Sequence, residues 1–227
     1  YCSVCRTGRI FEPMVNGRQE YFRLVGMNGF NAMFEDLTTK SWWRQVNGEA
    51  IAGPLKGTFL PEIESRQMSA RMFFSDYPEG LVMLPDSAFM EKYDSLGRYE
   101  KGLSKSTLTR TDSVSWKDKS WVVGVLTENQ SYAFDWIALK KKRILTHPLQ
   151  ENQMVVMLAS DEKTFSAFLV ERNLNPILKG DTLLLAEKKF NPEGKSYSAD
   201  KSLKRLKAYQ EFWHSWRMFQ PGTKQIR

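Results

Sequence analysis

Hydrophobic and polar positions alternate in short runs through the first quarter of the chain. Phe11 and Met14 precede Asn16-Gly17, and Tyr21, Phe22, Leu24 and Val25 follow it. Asn and Gly both tolerate positive φ, so this stretch predicts a hairpin. Gly26 and Asn28-Gly29 are expected to break the second strand, and residues 30–34 to form a third. Residues 36–41 read as a turn. Residues 42–46 and 50–52 read as strands on either side of Asn47-Gly48. Closely spaced turn residues of this kind point to an antiparallel sheet or a small barrel.

A helical period comes next. Ser65 is placed to cap a helix carrying Met68, Met72 and Phe73, and Tyr77-Pro78-Glu79-Gly80 stops it. Residues 81–84, Leu-Val-Met-Leu, read as a strand. Residues 85–118 are polar, with Asp86, Asp94, Ser95, Lys101 and Ser104 among them. They read as a connection pinned by Phe89, Tyr93 and Tyr99. Apolar runs then predict strands at 121–126, 131–134, 154–158, 165–170 and 183–185, with a helical turn at 136–139. Leu206, Tyr209, Trp213 and Trp216 predict a closing helix over 203–219, ended by Pro221-Gly222. The expected fold class is α+β and β-rich.

The two halves show a faint internal repeat. With Phe168 set on Phe11, Ser160 falls on Ser3, Lys163 on Arg6 and Thr164 on Thr7. Each half then reads as strands, a Gly-rich connection, a helix and a Pro-Gly stop. The expected organisation is a first unit over 1–84, a polar connection over 85–118, and a second, degenerate unit over 119–227. The two units are expected to pack together. The second copy has Ala159 and Glu162 where the first has Cys2 and Cys5, so it keeps fold residues and lacks the thiols.

Composition narrows the function classes. The chain has 227 residues and a net charge of +7, but its cations are interleaved with Asp and Glu. The dense basic run is Lys140-Lys141-Lys142-Arg143. No basic stripe with stacking aromatics and no nucleic-acid motif is present, so nucleic acid is not an expected partner. No stretch approaches the roughly 18 apolar residues that a membrane span needs.

Cys2-Ser3-Val4-Cys5 carries the chemistry that stands out. Two intervening residues let both sulfurs face one point, where they can form a disulfide, exchange electrons as a dithiol, or supply half of a soft-metal site. Zinc needs about four ligands and there is no second pair. Arg6 follows where a haem attachment would need His. Met27, Met33, His147 and His214 are the candidate further ligands, and copper(I) the metal such soft donors would take. Asp36, Thr39, Ser41, Trp43 and Gln45 form a second candidate cluster. It is either a polar pocket or a turn whose side chains satisfy its own backbone.

These two stretches resemble one signature. Tyr1-Cys2-Ser3-Val4-Cys5 is similar to the Y-C-P-L-C of an uncharacterised bacterial and archaeal domain family, usually secreted or lipoprotein-anchored. In that family an F-x-R strand and D-R-x-T-x-S-x-W-x-Q-x-x-G-x-A-x-x-G follow. Asp36, Thr39, Ser41, Trp43, Gln45, Gly48, Ala50 and Gly53 match the second motif, and 212–221 matches the family's closing Phe-Trp-rich segment. Ser3 and Leu37 depart from its Pro and Arg. The resemblance implies a segment ahead of Tyr1 that carries a His and an Asn-Asp. It also implies a periplasmic or cell-surface location, lipid-anchored in some members, and an envelope protein as partner. The expected function is a redox or soft-metal site at Cys2 and Cys5; the alternative is a structural subunit with a disulfide.

Overall fold

Asn16 and Gly17 turn the chain at φ of 50° and 74°, closing the hairpin of β1 (Met14–Val15) and β2 (Arg18–Gln19). A computed structural model describes residues 1–227 apart from Asp94, Ser95 and Ala199. A four-stranded antiparallel meander follows: β3 (Phe22–Asn28), β4 (Asn31–Asp36), β5 (Trp42–Arg44) and β6 (Ala50–Ala52). Gly26 does not end β3. The register shifts there as a bulge and pairing continues to Asn28, because a glycine lets a strand bend without leaving its ladder. The core of this meander is small: Val15, Trp43 and Ala50, backed by Phe22, Leu55 and Leu60.

The first helix, α1 (Ala70–Asp76), starts later than Ser65. Ser69 is its cap, with Oγ accepting from the Met72 N–H. The segment before it is held by the second half of the chain. The Ser69 N–H donates to Thr164 Oγ1 at 3.1 Å, and its Oγ donates to Asp161 Oδ2 at 2.6 Å. The helix itself buries no residue. Residues 81–84 form no strand. Leu81, Met83 and Leu84 are more than four-fifths exposed, and no partner supplies the backbone hydrogen bonds that turn an apolar run into a strand. The polar connection contains a 3₁₀ turn (Ser87–Phe89), α2 (Met90–Tyr93) and α3 (Leu96–Glu100). Asp94 and Ser95, expected within it, lie outside the described residues.

The larger core belongs to the second half. β7 (Trp121–Leu126) and β8 (Ser131–Asp135) form a hairpin, and α4 (Trp136–Lys142) follows, capped by Asp135. Then β9 (Ile144–Leu149), β10 (Asn152–Leu158) and β11 (Phe165–Glu171) make a second antiparallel meander. β12 (Pro176–Lys179), β13 (Thr182–Leu185) and β14 (Lys188–Phe190) make a third. β15 (Lys204–Arg205) joins β11 at the edge. Val123, Phe134, Leu139, Met154, Leu158 and Phe165 meet in the main cluster between these sheets and α4.

Residues 203–219 are not one helix. β16 (Lys207–Phe212) pairs antiparallel with β7 along its whole length. Only α5 (Trp213–Phe219) is helical, and β17 (Lys224–Ile226) then runs parallel to β8. The open edge of β7 decides the outcome, since tertiary pairing overrides a helical spacing of large residues. Gly124 on β7 lets α5 lie flat, because a Cβ there would sit 2.1 Å from the Trp216 ring. The structure is thus β-rich with short helices. Among the described residues no helix is long and apolar enough to cross a membrane. The turns 2–7 and 159–164 close in the same way. The Cys2 N–H bonds to the Thr7 carbonyl at 2.9 Å, and the Ala159 N–H to the Thr164 carbonyl at 2.7 Å.

Candidate functional site

Cys2 and Cys5 are free thiols, both buried, on one six-residue turn. The disulfide offered by the structural alternative is therefore not present. The turn is fixed from several sides. Arg6, at a φ of 57°, points its buried guanidinium at the carbonyls of Tyr99 and Thr109, and stacks 3.7 Å above the Tyr99 ring. The Tyr99 hydroxyl donates back to the Ser3 carbonyl at 3.0 Å. The Phe212 N–H donates to the Cys5 carbonyl, also at 3.0 Å. The polar connection and the end of β16 thus clamp the thiols between them.

The thiols sit in a polar shell rather than a dry core. The Cys2 thiol points to the Phe30 carbonyl at 3.6 Å, and the Cys5 thiol donates to Asn31 Oδ1 at 2.9 Å. Asn31 Nδ2 in turn donates to Ser215 Oγ at 2.7 Å. Thr7 Oγ1 donates to Glu211 Oε2 at 2.7 Å. Glu211 is fully buried, and burial pushes its carboxyl well above the usual carboxylate range.

The two thiols are driven apart in acidity. A hydrogen bond from Cys5, offset in part by burial, lowers Cys2 to about 5. Cys5 moves far upward, because it donates that bond and is itself buried. One thiol thus holds its proton more loosely than an ordinary cysteine and the other more tightly. Lys119 is the nearby cation. Its Nζ lies 5.0 Å from the Phe212 ring centroid and 5.7 Å from that of Phe30, and 3.0 Å from His214 Nε2. Burial lowers the Lys119 pKa, and the charges of Cys5 and Cys2 oppose that. His214 is held neutral, lowered to about 4 by burial and by the Lys119 charge.

The second candidate cluster is a turn, with one exception. Burial by itself would raise the Asp36 carboxyl, but bonds from the Trp43 indole, Thr39 and the Ser41 N–H hold it low. Ser41 Oγ accepts from the Leu55 N–H. A Cβ on Gly53 would sit 2.6 Å from Ser41 Cα, and one on Gly48 2.7 Å from the Phe11 ring. These side chains satisfy one another. Gln45 is the exception. Its Nε2 donates at 3.0 Å to the Thr7 carbonyl, the same oxygen that closes the cysteine turn. The two sequence motifs therefore meet in space at a single carbonyl.

The candidate metal ligands do not converge. Met27 is half exposed on β3, and His147 lies on β9 against the Tyr132 ring. Met33 is buried on β4, and His214 faces Lys119 and Phe30. Among the described residues no three of His, Cys, Asp and Glu gather as a metal-binding set. Sequence reasoning passed over Thr7, Asn31, Lys119, Glu211 and Ser215. Glu211 did leave a signal, as a lone carboxylate amid Tyr209, Phe212 and Trp213. No curated protein and no solved structure matches the chain. A family model described as "Protein of unknown function (DUF3179)" matches residues 1–223, and the chain belongs to that family.

Proposed function

We propose that the protein is an extracytoplasmic redox protein in which Cys2 and Cys5 cycle between two thiols and one disulfide. The opposed acidities of two free thiols in one polar shell support this reading most directly. A structural thiol pair needs neither a stabilised thiolate nor a hydrogen-bonded partner circuit. The oxidising compartment implied by the sequence resemblance is where such a pair can be turned over. The turn 159–164, with the same closure and no cysteine, is then a copy of the scaffold without the reactive groups.

The exchange balances as follows. The Cys2 thiolate attacks one sulfur of a small external disulfide, forming a mixed disulfide and releasing one thiolate. The Cys5 sulfur then displaces the second thiol from Cys2. Its proton ends on the departing thiolate. The protein loses two electrons, which the external disulfide gains. Cys2 is 5% exposed and Cys5 0%, which restricts direct exchange to small disulfides.

A redox titration in glutathione buffers, with thiols counted by alkylation and intact mass, tests this. The pair is expected to oxidise reversibly at a potential above about −300 mV, the region below which structural disulfides lie. Cys5→Ser should stop at the mixed disulfide, and Cys2→Ser should not react. A pair that stays reduced in every buffer, or that lies below that limit, would overturn the reading. Stoichiometric copper in protein purified without chelator would move the assignment to soft-metal handling by the same sulfurs.

A further inference from the structure

Three cationic side chains, Arg66, Arg205 and Lys207, line one cleft, and a fourth, Arg9, lines the hollow beside it. The cleft encloses about 440 Å³ between residues 62–67 and the stretch from Leu203 to Tyr209. A hollow of about 360 Å³ shares Arg66, Gln67 and Tyr209 with it and extends to Arg9. Three of the cations are matched by carboxylates. Arg9 and Lys207 both reach Glu62, at 3.3 and 3.1 Å. Arg66 holds Glu193 at 2.6 Å and Asp76 at 3.5 Å.

Arg205 is left over. Its carboxylate neighbour is Glu64 at 3.8 Å, on a side chain that is 71% exposed. No hydrogen bond from its guanidinium is found among the described residues. Burial, reinforced by the charge of Arg66, pulls the Arg205 pKa down. Two guanidiniums thus face one cleft with a single strong counter-charge set between them. On the side chains lining the cleft and the hollow, the Nε atoms of Arg9, Arg66 and Arg205 are buried and make no hydrogen bond among the described residues. Buried polar groups are nearly always satisfied, and the Arg205 Nε has only the 3.8 Å contact to Glu64. Glu62 and Glu64 also line the cleft, one taken by Arg9 and Lys207 and the other mostly exposed, and Ile63, Phe165, Leu203 and Leu206 supply apolar wall.

We propose that this cleft binds a small organic oxyanion, a carboxylate or phosphate monoester on an apolar body, with Arg205 as the anchoring cation. A guanidinium presents a planar fork that fits two oxygens of either group. The bound anion would also relieve the repulsion between Arg205 and Arg66. The apolar walls would cover the ligand's hydrocarbon part. The inference is independent of the dithiol, since none of its elements involves Cys2 or Cys5.

Calorimetric titration of the full chain with phenyl phosphate, phenylacetate and benzyl alcohol tests it. Wild type is expected to bind at least one of the two anions and not the alcohol, and the anion that binds identifies the headgroup. Arg205→Met should weaken binding about tenfold or more, the equivalent of about 1.4 kcal/mol. Arg205→Lys, which keeps the charge and loses the fork, should retain part of the affinity and guards against a misfolded Met variant. Cys2→Ser should bind as wild type does. Failure of both anions to bind at millimolar concentration would overturn the proposal. So would equal binding of the alcohol, or unchanged affinity in Arg205→Met.

Discussion

Cys2 is acidified by hydrogen-bond donors rather than by an open, watery surface. The Cys5 thiol supplies the largest share, and backbone N–H groups at Cys5 and Val4 add to it. The consequence for stability has a definite sign. The folded Cys2 thiol titrates near 5, against 9.0 for an ordinary thiol. Between those values the unfolded chain carries a proton that the folded chain lacks. Stability from this residue therefore rises with pH through that window and is lost as pH falls through about 5. Glu211 acts with the opposite sign, because its folded carboxyl keeps a proton that the unfolded chain has released. Urea unfolding of the fully reduced protein, compared with Cys2→Ser, separates the two. The stability difference between wild type and variant should widen from about pH 5 to about pH 8. A difference that stays flat or narrows would mean that Cys2 is not a thiolate in the folded protein.

At the scale of elements, α5 places His214 and Ser215 of the site, and Gly124 places α5. A methyl at Gly124 would overlap the Trp216 ring, whose Nε1 is tied to Thr223 Oγ1 at 2.9 Å. Gly124→Ala should therefore cost about 1–3 kcal/mol through overpacking and lower the melting temperature. A melting temperature equal to wild type would show that the helix can slide. This is also where sequence and structure part company. The Asn16-Gly17 hairpin and the strands β7, β8, β10, β11 and β13 were legible, because their turn residues and apolar runs act locally; β9, β12, β14, β15 and β17 were not. The cluster from Asp36 to Gln45 was legible as one of two alternatives, a polar pocket or a self-satisfied turn. β16 was not, since Leu206, Tyr209, Trp213 and Trp216 carry a helical spacing that the edge of β7 overrides. The site was legible only at its two sulfurs. Asn31, Lys119 and Glu211 come from three distant stretches, and nothing in their local sequence marks them as neighbours of Cys2 and Cys5.

For the whole molecule, the question is what joins a first half with a small apolar core to a second half with a large one. Val15, Trp43 and Ala50 bury little area, so hydrophobic burial within the meander contributes correspondingly little. Polar clamps take over. Asn31 reaches Ser215, Thr7 reaches Glu211, and Ser69 reaches Asp161 and Thr164. The most buried ion pair among them is Arg66 with Glu193, at 2.6 Å, with side chains 9% and 7% exposed. The Tyr77 hydroxyl also donates to Glu193. Removing one charge leaves the other buried without its partner, so Arg66→Met should destabilise by about 3 kcal/mol or more. Removing both charges avoids that penalty. Arg66→Met combined with Glu193→Gln should therefore recover much of the loss, although Lys195 also loses its partner in that double variant. Chemical unfolding of the single and double variants checks this. A double variant less stable than either single would show that the two charges contribute independently, through their other partners Asp76 and Lys195. Recovery would show that the pair mainly specifies how the halves fit.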